Sequence, residues 1–348
     1  MKKLLIIIDG MDDEPNPGLG NLTPSHFACM PALQYMRENG IISWQNTIPS
    51  SCQAGTEVAV LNILGYDIPK DFCTRSWFEA LGYGLEVKDG DLCLRCNLIS
   101  HRDGILTSHS GSEVSPRQCR EIIDILNDRF GSEKIEFINC GNFRNLLIVH
   151  GTDASIKAEA PHTLIGKLLS HLLIQSDETV LGNLLNQCII ESRTLLKDYP
   201  ANGISLWASG RAFHTAKPKL KGALVAGVNV MKGIGKALGL TVLEVDGATG
   251  DEHTDYHAKL QAAMTAFKTN DFVLLHVEAP DEVSHNRDSR KKVRVLEDID
   301  RELLMPLLKE KINLEITVQS DHGTSSISGL HLDTPVEVVR YKLINDEK

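Results

Sequence analysis

The sequence predicts an α/β fold in which helices flank a mostly parallel sheet and a separate α+β unit is inserted. Three observations carry that expectation. Near both chain ends, apolar runs of strand length, such as Leu4–Ile8 and Phe272–Leu275, alternate with stretches of helical pattern, as in a parallel sheet with crossover helices. The middle of the chain breaks that alternation. Three predicted strands also run straight into turns carrying aspartate or histidine, and in open sheets ligands gather at the carboxyl ends of strands.

Taken in order, Lys3–Ile8 predicts a first strand, about 31–39 a helix, about 42–47 a strand and about 56–64 a second helix. After residue 220 the same pattern returns. Strands are expected at 222–227, 241–245, 272–277 and 314–319, with helices over 231–238, about 255–268 and about 290–308. Between these parts, Asp91–Asn97 alternates polar and apolar residues and Gly104–Ser108 could pair with it. A helix over 115–130 then precedes strands near 134–139 and 146–149. The expected division is a core made of residues 1–85 and 199–348, with an α+β insert over 86–198.

Bulk properties narrow the function. The chain has 348 residues, 42% hydrophobic and 24% charged, the balance of a soluble globular protein. Its apolar runs are too short to span a bilayer. Leu4–Ile8 stops at Asp9-Gly10 with no small-residue cleavage site, so it predicts a strand rather than a signal peptide, and the expected compartment is the cytoplasm. The eight cysteines are scattered, as reduced thiols are. Cys93 and Cys96 have CxxC spacing, but no second pair completes a zinc site. A net charge of −10 argues against nucleic acid as a partner, while leaving room for an anionic substrate if metals or local arginines invert the sign.

The three strand ends would place Asp9, Asp281, His285, Asp321, His322 and His331 around one crevice. Taken singly, each has an ordinary explanation. Asp9-Gly10 is a common turn dipeptide, Asp281 and His285 are spaced for an exposed pair on one helical turn, and Asp321-His322-Gly323 could cap a helix. Together they form a nitrogen and oxygen donor set suited to zinc or manganese. Thr56 follows Gly55 at the start of an apolar helix, where backbone N–H groups favour an anion. It could be a plain N-cap, or a nucleophile once a metal lowers its hydroxyl pKa. Charges balance: two divalent ions supply +4, and Asp9, Asp281, Asp321 and a Thr56 alkoxide supply −4. A bound phosphate would then need arginines.

Asp9-Gly10-Met11, Gly55-Thr56, Leu64-Gly65-Tyr66-Asp67, Glu79–Gly82, Arg95-Cys96-Asn97, Gly247–Gly250, His276–His285 and Asp321-His322 together resemble one family. It is the archaeal-type, cofactor-independent phosphoglycerate mutases of the alkaline phosphatase superfamily. The resemblance covers nearly the whole chain and is weakest over about 100–199. It implies an alkaline-phosphatase-like fold and two divalent metals, manganese or zinc with magnesium a further option. One metal would be held by Asp281, His285 and His331, and the other by Asp9, Asp321 and His322. Thr56 would be both a metal ligand and the phosphorylated nucleophile. Arg75, Arg95 and His162 would contact substrate.

The implied reaction moves phosphate between O3 and O2 of glycerate through a phosphoenzyme, so the expected partner is a small phosphorylated metabolite. Homo-oligomerisation is left open. Three positions depart from the family pattern. Gly55-Thr56-Glu57 replaces Gly-Ser-Asp, Thr74-Arg75-Ser76-Trp77 replaces Gly-Arg-Gly-Pro, and Ala160-Pro161-His162 replaces Asp-Pro-His. The same site would serve a phosphatase, phosphodiesterase or phosphonate hydrolase, or a non-catalytic binder of metal or phosphate. No Walker-type loop for ATP is present.

Overall fold

The computed structural model describes all residues except 51, 70, 71, 73, 112, 113 and 346–348. The chain divides into two compact units, Met1–Phe72 with Thr215–Lys348, and Cys73–His214. The second is wider at both ends than the expected 86–198. Strand Gly203–Gly210 pairs with strand Leu92–Arg102, and helix Arg75–Gly82 packs on both.

The first unit is built on seven strands: β1 (Lys2–Ile8), β2 (Ile41–Gln45), β3 (Ala223–Val225), β4 (Thr241–Leu243), β5 (Phe272–Val277), β6 (Leu314–Gln319) and β7 (Val336–Leu343). Their order is β4-β3-β5-β1-β6-β7-β2. β1 lies between β5 and β6, parallel to both. Only β7 runs against the rest, antiparallel to β6 and to β2. A strand covered on both faces must be apolar throughout, which is why β1 reads Leu-Leu-Ile-Ile-Ile. Alternate residues Leu4, Ile6 and Ile8 join Val273, Leu275, Val277, Ile316 and Val318 in one buried cluster.

Two expectations need correcting. β7 was not anticipated, because Glu337, Arg340 and Lys342 interrupt its apolar pattern. The helix expected over 290–308 is instead α-helix Ser289–Ile299, a wider π turn Asp300–Leu304 and a short helical end Met305–Leu307. Pro306 has no N–H to continue an ordinary ladder there. The π turn has a use: the Asp300 carboxylate accepts hydrogen bonds from Ala32 N (3.0 Å) and Leu33 N (2.8 Å), capping helix Pro31–Asn39.

The second unit is an antiparallel sheet centred on Leu92–Arg102, which pairs with Ile105–Ser108, Arg144–Val149 and Gly203–Gly210. Leu94, Cys96 and Leu98 point into a core shared with helices Pro116–Phe130 and Thr179–Leu195. Among the described residues every cysteine is a free thiol, and Cys73 lies outside them. No described helix is long and apolar enough to cross a membrane.

Candidate active site

The parallel register sets the site. β1, β5 and β6 end side by side, with Ile8 opposite Val277 and Ile7 opposite Gln319, so the residues just beyond them emerge together. Asp9 follows β1, held by a bond from its N–H to Val277 O (2.8 Å). Gly10 turns the chain at φ +64°, and a Cβ there would stand 2.8 Å from Asp281 Cα. Only glycine permits that approach. Asp281 and His285 lie one turn apart on helix Ala279–His285, and Asp321 and His322 follow β6 directly.

The six predicted aspartates and histidines converge. Asp281 Oδ2 is 3.1 Å from His285 Nε2, and its Oδ1 is 3.5 Å from His331 Nε2. The two imidazole Nε2 atoms are 3.2 Å apart. Each ring is turned inward by a backbone carbonyl on its far nitrogen: Gly329 O lies 2.8 Å from His285 Nδ1, and Ala54 O lies 3.1 Å from His331 Nδ1. Metal-ligating histidines are oriented in this way. His322 Nε2 is 3.7 Å from Asp9 Oδ1 and 3.5 Å from Asp321 Oδ2.

Thr56 is buried, and its hydroxyl donates to Asp9 Oδ2 at 3.3 Å. Gly55 is the N-cap of helix Thr56–Ile63, which has no side-chain cap bond. The plain N-cap reading of Thr56 therefore fails, since its hydroxyl faces the carboxylate.

Sequence reasoning missed His276. This residue is fully buried on β5, with Nε2 3.4 Å from Asp9 Oδ2. The signal was available, because a histidine inside the apolar run Phe272–Val277 is out of character for a buried strand. Three donor groups result, each with ligand atoms within 4.8 Å of one another: Asp281, His285 and His331; Asp9, Asp281 and His322; Asp9, His276 and Asp321.

The electrostatics are those of a cation site. Burial, and then the charges of Asp321, Asp281 and Glu278, hold the Asp9 carboxyl well above its usual range. Burial also works against ionised Asp281, but the His285 hydrogen bond and the nearby imidazoles bring it well below the usual range. Burial opposes charge on His285 as well, yet Asp281 lifts it to about 9. His331 is pushed down to about 4 by burial and His322, and His276 to about 4 by burial. Among the described residues, Asp9 Oδ1, Asp321 Oδ2, His322 Nε2 and His276 Nε2 are buried without a hydrogen-bond partner. Such atoms are costly unless a ligand satisfies them. An oxygen and imidazole set of this composition fits manganese or zinc.

Arg75, Arg95 and His162 all lie in the second unit and share neighbours there. Arg95 is buried; its Nε donates to Glu79 Oε2 (2.8 Å) and its guanidinium lies over Trp207, 4.8 Å from the ring centroid. Arg75 Nε is 3.5 Å from the other Glu79 oxygen. The His162 ring is 5.7 Å from Trp207.

Comparison with known proteins identifies the family. Residues 38–202 match the family profile described as 2,3-bisphosphoglycerate-independent phosphoglycerate mutase. The Methanosarcina mazei enzyme of that name is 33% identical over 98% of this chain and 91% of its own. Among solved structures, a Pyrococcus horikoshii protein superposes with a TM-score of 0.77 at 25% identity, over 98% of this chain and 87% of its own. A cofactor-independent phosphoglycerate mutase from Thermoplasma acidophilum gives 0.58 at 26%, over 100% and 92%. The mostly parallel sheet with its flanking helices is alkaline-phosphatase-like. By sequence and by fold, the chain belongs to the 2,3-bisphosphoglycerate-independent phosphoglycerate mutase family.

Proposed function

We propose that the protein interconverts 3-phosphoglycerate and 2-phosphoglycerate through a phosphothreonine at Thr56. The observation that carries this is the Thr56 hydroxyl, buried at a helix start and hydrogen-bonded to Asp9 among orphaned metal donors. Asp281, His285 and His331 would hold one divalent cation and Asp9, Asp321 and His322 the other, beside Thr56, with His276 a further nitrogen donor. Manganese or zinc suits this set. When bound, the ions lower the pKa of a neighbouring hydroxyl and neutralise charge on the transferring phosphoryl group.

Thr56 Oγ1 attacks phosphorus, so the Thr56 O–P bond forms and the bond from phosphorus to O3 of glycerate breaks. Asp9 Oδ2 is the atom placed to draw off the hydroxyl proton. The proton drawn from Thr56 passes to O3 as it leaves. Glycerate stays bound, and its O2 gives up its own proton as it attacks the phosphothreonine. The O2–P bond forms as the Thr56 O–P bond breaks, so that Thr56 recovers its hydroxyl proton. Holding the product in place without water is what makes the reaction a mutation rather than a hydrolysis. Arg75 and Arg95 would bind phosphate or carboxylate through their guanidinium forks, with His162 alongside. A cytoplasmic, glycolytic role follows from the substrate.

The test is purified protein with Mn²⁺ and 3-phosphoglycerate, followed by phosphorus NMR. The expected result is 2-phosphoglycerate with little free phosphate. Phosphate release without isomerisation would overturn the mutase reading and leave a hydrolase on the same residues.

A further inference from the structure

Lys292 is a fully buried lysine on helix Ser289–Ile299 that no step above uses. An ammonium has three protons and no acceptor capacity, and three oxygens meet this one. Nζ is 2.9 Å from Asp13 Oδ2, 2.8 Å from Thr324 O and 3.4 Å from Asp12 O. Asp12 and Asp13 follow the turn that carries Asp9, and Thr324 follows Asp321 and His322. The amine therefore fastens the segment leaving β1 to the segment leaving β6. Two backbone-donated bonds reinforce the join, Thr324 N to Asp12 O (3.0 Å) and Ser326 N to Asp13 Oδ2 (3.0 Å).

Thr324 is the link to the third strand end. Its hydroxyl donates to Asp281 Oδ1 at 2.6 Å and lies 3.3 Å from His322 Nδ1. Its carbonyl is held by Lys292 while its side chain orients two donors of the cation site.

We infer that Lys292 and Asp13 form a positioning pair that sets Asp281 and His322 of the cation site, acting through Thr324. The inference rests on the metal-site reading above. A buried lysine spent only on stability would sit on any part of the core. This one joins the segments that follow the strands bearing Asp9 and Asp321. Buried pairs of this kind are weak stabilisers overall but strongly destabilising when broken on one side, so a stability loss alone would not identify the role.

The test is Mn²⁺ affinity of the full metal-free chain, read from the free-ion EPR signal, for Lys292→Met, Asp13→Asn and Thr324→Val. Loss of a group that orients metal ligands typically weakens binding by roughly 10–100-fold, and each variant should do so. Lys292→Met combined with Thr324→Val should be no weaker than the worse single variant. Asp300→Asn, which touches a helix start and not the site, should lower thermal stability and leave Mn²⁺ affinity unchanged. If Lys292→Met does not fold by circular dichroism, Asp13→Asn and Thr324→Val decide. Unaltered affinity in the folded variants, fully additive losses, or an equal loss in Asp300→Asn overturns the pairing. An unaltered chain that binds no Mn²⁺ overturns the metal reading, and the positioning role with it.

Discussion

Both units bury charged side chains with a partner, Arg95 with Glu79 in the second and Lys292 with Asp13 in the first, but the strand ends of the first also bury charge that the fold leaves uncompensated. In the second, Arg95 has Glu79 for a partner and Trp207 for a floor, so the buried cation is compensated within the fold. In the first, Asp9, Asp281 and Asp321 converge with histidines as their ion-pair neighbours, and several donor atoms lack a partner. A buried cation that already has its counter-charge calls for no metal. A cluster of buried, unpartnered carboxylate and imidazole atoms stores a cost that a cation relieves. The difference separates what the fold completes by itself from what it leaves for metal.

The largest expected effect falls on chemistry in the first unit. Thr56→Ala should lower kcat drastically, on the order of 10⁶-fold where a hydroxyl nucleophile is lost, with the circular dichroism spectrum unchanged. Thr56→Ser should keep turnover. Near-normal rates in the alanine variant would leave the hydroxyl a bystander.

Breaking the compensated charge should have the opposite signature. Glu79→Gln strands Arg95, and loss of one partner of a buried pair costs roughly 3–5 kcal/mol, measurable by urea unfolding. Mn²⁺ affinity should not move. A fall in Mn²⁺ binding would erase the contrast between the two units.

A smaller effect concerns pH. Burial, then the charge of Glu337, raises the Asp12 carboxyl to about 7. The fold therefore prefers the protonated acid, and the stability this provides is full below the unfolded pKa and lost as pH rises through about 7. Asp12→Asn mimics the protonated form. It should match the unaltered chain near pH 4 and exceed it by a few kcal/mol, to order of magnitude, at pH 8. Equal stability at both pH values would contradict this.

The smallest is Ser115→Ala. Ser115 and Gln118 form a reciprocal capping box at helix Pro116–Phe130. Its loss should cost about 0.5–2 kcal/mol and leave catalysis untouched.

The contrast also explains what could be read from sequence. A strand buried on both faces announces itself, so β1, β5 and β6 were legible, and with them the aspartates at their ends. β7 was hidden because an antiparallel strand near the sheet edge can carry Arg340 and Lys342 on a partly open face. His276 stood out as a histidine in an apolar run, but only register, Ile7 opposite His276, shows that it lies beside Asp9. Lys292 lies three, four and seven residues before Val295, Leu296 and Ile299, so helical period puts it on the buried face, but only the fold supplies the oxygens that meet its amine. The start of the second unit was drawn late because helix Arg75–Gly82 belongs to it through packing on Leu92–Arg102 and Gly203–Gly210, contacts that sequence spacing does not reveal.

The most direct test is calorimetric titration of the metal-free chain with Mn²⁺, comparing the unaltered protein with Asp281→Asn. Asp281, like Asp9, belongs to two of the three donor groups, and it alone of the two joins the His285 and His331 pair, so its loss should be felt across the cation site. Two ions per unaltered chain, and at least one lost in the variant, is the predicted result. A chain that binds no divalent cation, or an Asp281→Asn variant that still binds two with unchanged affinity, would contradict it.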